Sequence, residues 1–233
     1  MSGTQGLADR LGATGLFAGL ELALLDLLAH DALPRRFAAG ERIWRMGEDA
    51  AHFVIVEDGL EELEQVTPAG EGVMVGLFGR GDTLCVMPAL KRRRYPADAV
   101  ALTDGVSALL VPSRTVFDAL DAHPALERAL NRALIAHAEL LHAKIGIVSA
   151  GSVPRRLAAL FLYLGRRFGR REAGGTVRLD LALTRERIGQ LVGARTETVI
   201  RVLSRWQKAG WLRSGAQGFE LVRPEMLDKV VEP

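Results

Sequence analysis

Cysteine is nearly absent from this sequence: one residue of 233, Cys85. A single thiol excludes an intramolecular disulfide framework, an all-cysteine zinc site and an iron-sulfur cluster held by four cysteines of one chain. Long apolar runs are missing as well. Even Leu16 to Leu28 is interrupted by Glu21 and Asp26, short of the roughly 20 apolar residues that a spanning helix needs. The N-terminal residues lack the basic start and unbroken apolar core of a secretory signal, so the expected setting is the reducing cytoplasm, away from membranes. Residues 1–148 contain no Gly-rich phosphate loop, no HExxH, no Gly-x-Ser-x-Gly elbow and no supported acid/base pair, so no enzyme is expected. Glu61, Glu62 and Glu64 read as a solvated turn. No internal repeat or low-complexity tract is evident.

With 48% hydrophobic residues and 25% charged, the chain can fill one large or two modest cores. Its net charge of +2 conceals an asymmetry. Residues 1–148 carry 14 Lys+Arg against 20 Asp+Glu, whereas residues 149–233 carry 16 against 8. The C-terminal part is therefore the candidate binder of a polyanion.

Residues 16–30 repeat apolar positions at helical spacing and predict a short amphipathic helix. From Pro34 to Val111, short apolar segments such as Phe53–Val56, Val73–Phe78 and Val106–Val111 alternate with turn signals at Gly40, Gly47, Asp58-Gly59, Gly70, Gly79, Gly81-Asp82 and Asp104-Gly105. That is the rhythm of a many-stranded sandwich or barrel. Pro112-Ser113 switches the period, and His123-Pro124 opens a longer helix expected to run to about Val148. Along it Leu130, Leu134, His137, Leu141 and Val148 keep a/d spacing, which suits pairing with a second copy. Ala150-Gly151-Ser152 breaks the pattern as a hinge, and Ser152 is placed to cap a helix with Pro154 in its first turn. The expected division is 1–122, 123–149 and 150–233.

Residues 184–209 read as a helix capped by Thr184, a tight turn at Gly193 and a second helix. In the second, Val199, Val202, Leu203 and Trp206 make the i, i+3, i+4, i+7 stripe of a core face. The opposite face carries Glu197, Arg201, Ser204, Arg205 and Lys208. Arg donates two hydrogen bonds to guanine O6 and N7, Glu accepts from cytosine N4, and Ile200 suits a thymine methyl. Arg185, Arg187, Arg195 and the helix N-termini suit phosphates, which set register without reading sequence. Residues 211–214 and 219–222 flank Gly215–Gly218 as a hairpin, the wing of a winged helix.

From Leu183 to Arg201 the chain resembles the helix-turn-helix of the cyclic-AMP receptor protein and fumarate-nitrate reduction regulator (CRP/FNR) family of bacterial transcription factors, and the earlier elements match in order. The resemblance implies an α+β architecture: an N-terminal cyclic-nucleotide-binding-like β-roll with an N-terminal helix, a long dimerisation helix, and a C-terminal winged helix-turn-helix. It implies a homodimer reading a near-palindromic DNA operator, with Glu197 and Arg201 at base-reading positions and Arg185 on a phosphate. Thr196 departs from the cyclic-AMP-responsive members, which carry a further base-reading Arg there. By position, Arg170 to Thr176 would face RNA polymerase.

The family's nucleotide pocket uses a ribose-binding Glu and an Arg-Ser pair for the phosphate. Here Val86 stands where the Glu is expected and Tyr95-Pro96 where the pair is expected, with Arg94 one position away, so cyclic AMP is not favoured. The run Lys91–Arg94 reads either as a solvated loop or as an anionic-ligand site. The cluster-binding cysteines of the fumarate-nitrate type are missing. Haem is an open alternative, with Cys85 or His142 as iron ligands and His137 a further candidate; Leu141 and His142 lie about where relatives touch their effector. A small effector of another kind, or none and control by abundance, complete the alternatives.

Overall fold

The computed structural model describes residues 2–66, 72–103 and 105–232; the expected turns at Gly70 and Asp104 lie outside them. The chain divides into two compact units, Met1–Glu139 and Leu140–Pro233.

The first unit opens with α1 (Ser2–Gly12) and α2 (Leu22–His30). The helix expected over 16–30 is thus shorter, and α1 was not foreseen. Leu16 and Phe17 are buried, but in turns: Gly15 and the left-handed Gly19 stop helical propagation until Leu22. The strands then follow as β1 (Leu33–Phe37), β2 (Arg42–Trp44), β3 (His52–Asp58), β4 (Leu60–Val66), β5 (Gly72–Gly79) and β6 (Thr83–Leu84). After α3 (Val86–Leu90) come β7 (Asp98–Ala101), β8 (Val106–Pro112) and α4 (Ser113–Leu120). They form two four-stranded sheets, ordered β1-β8-β3-β6 and β2-β7-β4-β5, with antiparallel pairings.

Strand β3 shows why its sequence is continuously apolar. Phe53 and Ile55 join Leu109 and Val111 of β8 in one core with α1, α2, α3, α4 and the first turns of the long helix α5 (Pro124–Val148). Val54 and Val56 are also buried, and strand alternation sends them to the other face. A strand covered on both faces needs no polar alternation.

The same sheet system corrects the reading of Glu61, Glu62 and Glu64. All three lie on β4, and Glu61 and Glu62 are 0% exposed. The Asp58-Gly59 turn is so short that the glutamates fall at once into a central strand, with Glu61 opposite Phe78 on β5 and Ala101 on β7. Neither oxygen of Glu61 has a hydrogen-bond partner among the described residues. Burial, with the neighbouring Asp82 charge, pushes its pKa up to about 8.

The second unit takes the end of α5 and continues as α6 (Val153–Phe168), β9 (Arg170–Arg171), β10 (Val177–Leu179), α7 (Arg185–Val192), α8 (Thr196–Lys208), β11 (Leu212–Gly215), β12 (Gly218–Leu221) and α9 (Pro224–Val231). Its sheet is ordered β11-β12-β10-β9. Gly151 is left-handed, with φ +91, between α5 and α6. Ser152 holds the cap position, but its side chain makes no capping bond.

The buried carboxyl has a measurable consequence. Folded Glu61 keeps its proton up to about pH 8, whereas the unfolded chain releases it near 4.5. The folded state therefore binds more protons in between, and stability falls as pH rises through that window, by an amount of order 4 kcal/mol. Urea unfolding at pH 5 and pH 8 checks this. Glu61→Gln is expected to flatten the difference, and an unchanged pH slope in the variant would contradict the assignment.

Candidate nucleic-acid interface

Helix α7 begins where Thr184 Oγ1 accepts the Arg187 N–H at 3.1 Å, the predicted cap. It ends at Gly193, whose φ of +60 is the left-handed conformation of a helix stop. Two residues later Arg195 occupies the N-cap position of α8, without a side-chain capping bond. Between the helices the backbone passes so closely that a Cβ on Gly189 would stand 2.6 Å from the Ala194 carbonyl oxygen. The Ala194 N–H donates to the Gly189 carbonyl at 2.9 Å in the same turn. Gly189 was not singled out by the sequence analysis. A glycine one turn before a helix-stopping glycine was the available signal.

Val199, Val202, Leu203 and Trp206 bury one face of α8 as expected. Trp206 also stacks on Trp211, 6.3 Å between centroids. Glu197, Ile200, Arg201, Arg205 and Lys208 are exposed, Ile200 at 48%, and Thr196 is half-buried at the first turn. Arg195 is exposed beside it. The eight expected DNA-facing residues thus divide into four on the exposed helix face, two at cap positions, the half-buried Thr196 and one engaged residue.

That engaged residue is Arg185. Its Nη2 donates to Ser214 Oγ at 2.8 Å, and its guanidinium lies 5.1 Å from the Phe219 ring centroid. Burial lowers its pKa, although an arginine remains charged. Gln207 Nε2 donates to the same Ser214 oxygen at 2.8 Å. One hydroxyl on β11 therefore ties both helices of the helix-turn-helix to the wing. The wing is tighter than predicted: Gly215 pairs with Gly218, leaving only Ala216 and Gln217 as the turn.

Two cations missed in the sequence hold the end of α7. Lys144 Nζ, from the last turns of α5, donates to the Leu191 carbonyl at 2.5 Å, and Arg156 Nη1 of α6 donates to Val192 and Gly193 at 2.6 and 2.9 Å. Half-burial lowers the Lys144 pKa to about 8. A lysine at the a/d position between Leu141 and Val148 was its signal.

The predicted a/d row shifts for the same reason. Leu130 is buried within the first unit, and Lys144 is spoken for. The exposed apolar residues of α5 are Ile135, Leu141, Ile145 and Val148, with Ile145 58% exposed.

The effector candidates differ in burial and surroundings. Val86 packs in the hydrophobic core of the first unit, and Tyr95 is buried, stacked on Trp44 with centroids 4.7 Å apart. Arg94 is exposed and lies 3.7 Å from Asp49. His142 is exposed on α5, beside Leu141. Cys85 has φ +68, and burial followed by the Glu61 charge pushes its thiol well above the ordinary value. Burial thus favours the protonated form of the free thiol. Among the described residues no group of three or more His, Cys, Asp or Glu converges on a common point suited to a metal. His137 is half-buried on α5, and burial lowers its pKa.

A β-roll unit followed by a long helix and a winged helix-turn-helix with a cationic, exposed second helix defines a two-domain transcription regulator. Residues 155–230 match the Crp-like helix-turn-helix domain, and residues 34–123 match the cyclic nucleotide-binding domain. Over 203 residues the chain is 27% identical to a CRP-like cAMP-activated global transcriptional regulator of Mycobacterium tuberculosis, covering 87% of this chain and 90% of that one. It is 28% identical over 193 residues to the fumarate and nitrate reduction regulatory protein of Escherichia coli K12, covering 82% and 75% respectively. Among solved structures, FixK2 from Bradyrhizobium japonicum superimposes with a TM-score of 0.74 at 21% identity, over 87% of this chain and 98% of that one. The chain belongs to the CRP/FNR family of transcription regulators. No helix among the described residues is long and apolar enough to cross a membrane.

Gly189→Ala tests the close turn. The added methyl meets backbone rather than a movable side chain, so the second unit is expected to lose about 1–3 kcal/mol in a thermal melt followed by circular dichroism. An unchanged melt would contradict the crowding.

Proposed function

We propose that this protein is a homodimeric, sequence-specific DNA-binding regulator rather than an enzyme, that it works in the cytoplasm, and that it reads a near-palindromic operator through α8. The observation that carries the reading is the exposed face of α8, where Glu197, Ile200, Arg201 and Arg205 stand clear of the core while Val199, Val202, Leu203 and Trp206 anchor the helix behind them. Arg201 and Glu197 offer the donor and acceptor groups that distinguish guanine and cytosine in the major groove. Thr184, Arg195 and Thr196, at the two helix starts, suit phosphates next to the positive helix ends. Arg185 takes a phosphate-side role while bracing the wing. The Arg170–Thr176 segment, a short edge strand and a 3-10 turn, is the candidate contact for RNA polymerase.

Dimerisation runs along α5. Four large apolar residues exposed on one helix are costly in water, and Leu141, Ile145 and Val148 follow the four-and-three spacing of a seam. A two-fold dimer of this kind is expected to present its two α8 helices to half-sites about one helical turn apart.

A small effector acting through the β-roll is the preferred switch, and it is not cyclic AMP. Val86 and Tyr95 are buried in apolar and aromatic packing, which suits neither position to a ribose or a phosphate. Haem, with Cys85 or His142 as the iron ligand, is the alternative switch. An effector must bind the DNA-competent state more tightly to shift the balance.

Two measurements test this. Arg201→Ala is expected to cost about 1–3 kcal/mol of operator affinity and to relax preference at one base pair, read by competition binding against operator variants. Intact preference in that variant would refute the recognition-helix assignment. In analytical ultracentrifugation Ile145→Glu is expected to shift the dimer to monomer and to weaken operator binding; a dimeric variant would place the interface elsewhere.

A further inference from the structure

The basic run Lys91–Arg94 does not lie loose in solvent. Its backbone is pinned to the Glu48–Ala51 segment: the Tyr95 N–H donates to the Glu48 carbonyl at 2.8 Å, and the Ala50 N–H to the Arg93 carbonyl at 3.1 Å. Across from it stands α4, whose Ser113 Oγ donates to the Ala50 carbonyl at 3.1 Å. The three segments enclose a cavity of about 440 Å³ wholly within the first unit. That size suits a small organic molecule.

Its lining has two parts. The apolar part is formed by the alanine methyls of Ala50, Ala51 and Ala89 with the half-buried ring of Phe117. The charged part is Arg92, Arg93 and Arg114. The cavity's two acids are already near other cations, Asp49 at 3.7 Å from Arg94 and Asp118 at 3.5 Å from Arg114. Arg92 and Arg93 have no acidic partner among the described residues. Arg92 is moreover held at φ +48, a conformation that favours glycine, and its guanidinium lies 5.3 Å from the Phe117 ring centroid. A strained arginine on an aromatic ring, beside a second unpaired arginine and a floor of methyl groups, is arranged for a flat apolar body with a negative end.

We propose that this cavity, between the α3–β7 connection and α4, binds a small organic anion with a planar aromatic body, its carboxylate or phosphate held by Arg92 and Arg93 and its ring against Phe117. The site shares no residue with α8, and binding is read without DNA. It therefore stands or falls separately from operator recognition, while the effector role rests on the regulator reading.

Isothermal titration of the full chain with phenyl phosphate and benzoate tests the site, with inorganic phosphate and benzyl alcohol as controls. The aromatic anions are expected to bind saturably at about millimolar Kd or tighter, each control at least about tenfold more weakly. Arg93→Glu is expected to abolish binding. Arg92→Gly is expected to weaken it by about tenfold or more while the melting temperature of the unliganded protein holds or rises, since glycine accepts φ +48 freely. That second variant separates lost binding from lost folding. Equal binding of inorganic and phenyl phosphate, binding indifferent to both substitutions, or no saturable heat would each overturn the proposal. If binding is found, repeating the operator titration with phenyl phosphate present reads whether the occupied site alters DNA affinity.

Discussion

The DNA-binding unit depends on how the last carbonyls of α7 are satisfied. A helix leaves its final C=O groups without intrahelical partners and carries partial negative charge at that end. Here the end is partly buried, so water alone does not satisfy it. Lys144 and Arg156 do, with three bonds to Leu191, Val192 and Gly193. Half-burying a lysine is costly, as its lowered pKa records. The cost is offset because an ammonium on a helix C-terminus gains both a charge-assisted hydrogen bond and the dipole interaction. Since Gly193 and the crowded Gly189–Ala194 turn leave little freedom after α7, the direction of α8 follows from where that clamp holds its predecessor.

The clamp also bears on how the long helix could be coupled to DNA. Lys144 lies seven residues before Gly151, and its bond to Leu191 reaches across the left-handed turn from one side to the other. A rotation confined to Gly151 would break that bond. A movement in which the last turns of α5 travel with the helix-turn-helix keeps it, which agrees with those turns belonging to the second compact unit. Arg185, Gln207 and Ser214 extend the same logic to the wing, so α7, α8 and β11 behave as one braced piece.

Much of this was legible in the residues. The stripe Val199, Val202, Leu203, Trp206 located the buried face of α8, and Thr184 and Gly193 marked the bounds of α7, because caps and periodicity are local signals. The long helix from Pro124 to Val148 was equally open to local reading. What escaped depended on distant partners. Nothing near Arg185 announces Phe219 and Ser214, and nothing near Lys144 announces Leu191. Glu61 and Glu62 were misread because two adjacent acids are almost always solvated, a rule that strand β4 overrides by lying between β5 and β7. The helix α1 was missed because it has few apolar residues and its packing, through Ala8 and Leu11, is with the sensor core.

The departures from local rules in the sensor unit are not scattered at random. Among the described residues the only non-glycine positions with positive φ, Cys85 and Arg92, flank the five-residue helix α3 on its two sides. The Cys85 thiol is close enough to the buried Glu61 for that carboxylate to raise its pKa, and Arg92 walls the cavity beside Phe117. A strained helix start and a strained arginine within one short stretch, with the unpartnered acid of β4 acting on the first, cost stability that apolar packing alone would not demand. Sequences whose local and global preferences otherwise agree tend to concentrate such costs where function needs them. The α3 segment is thus the part of the β-roll least explained by folding.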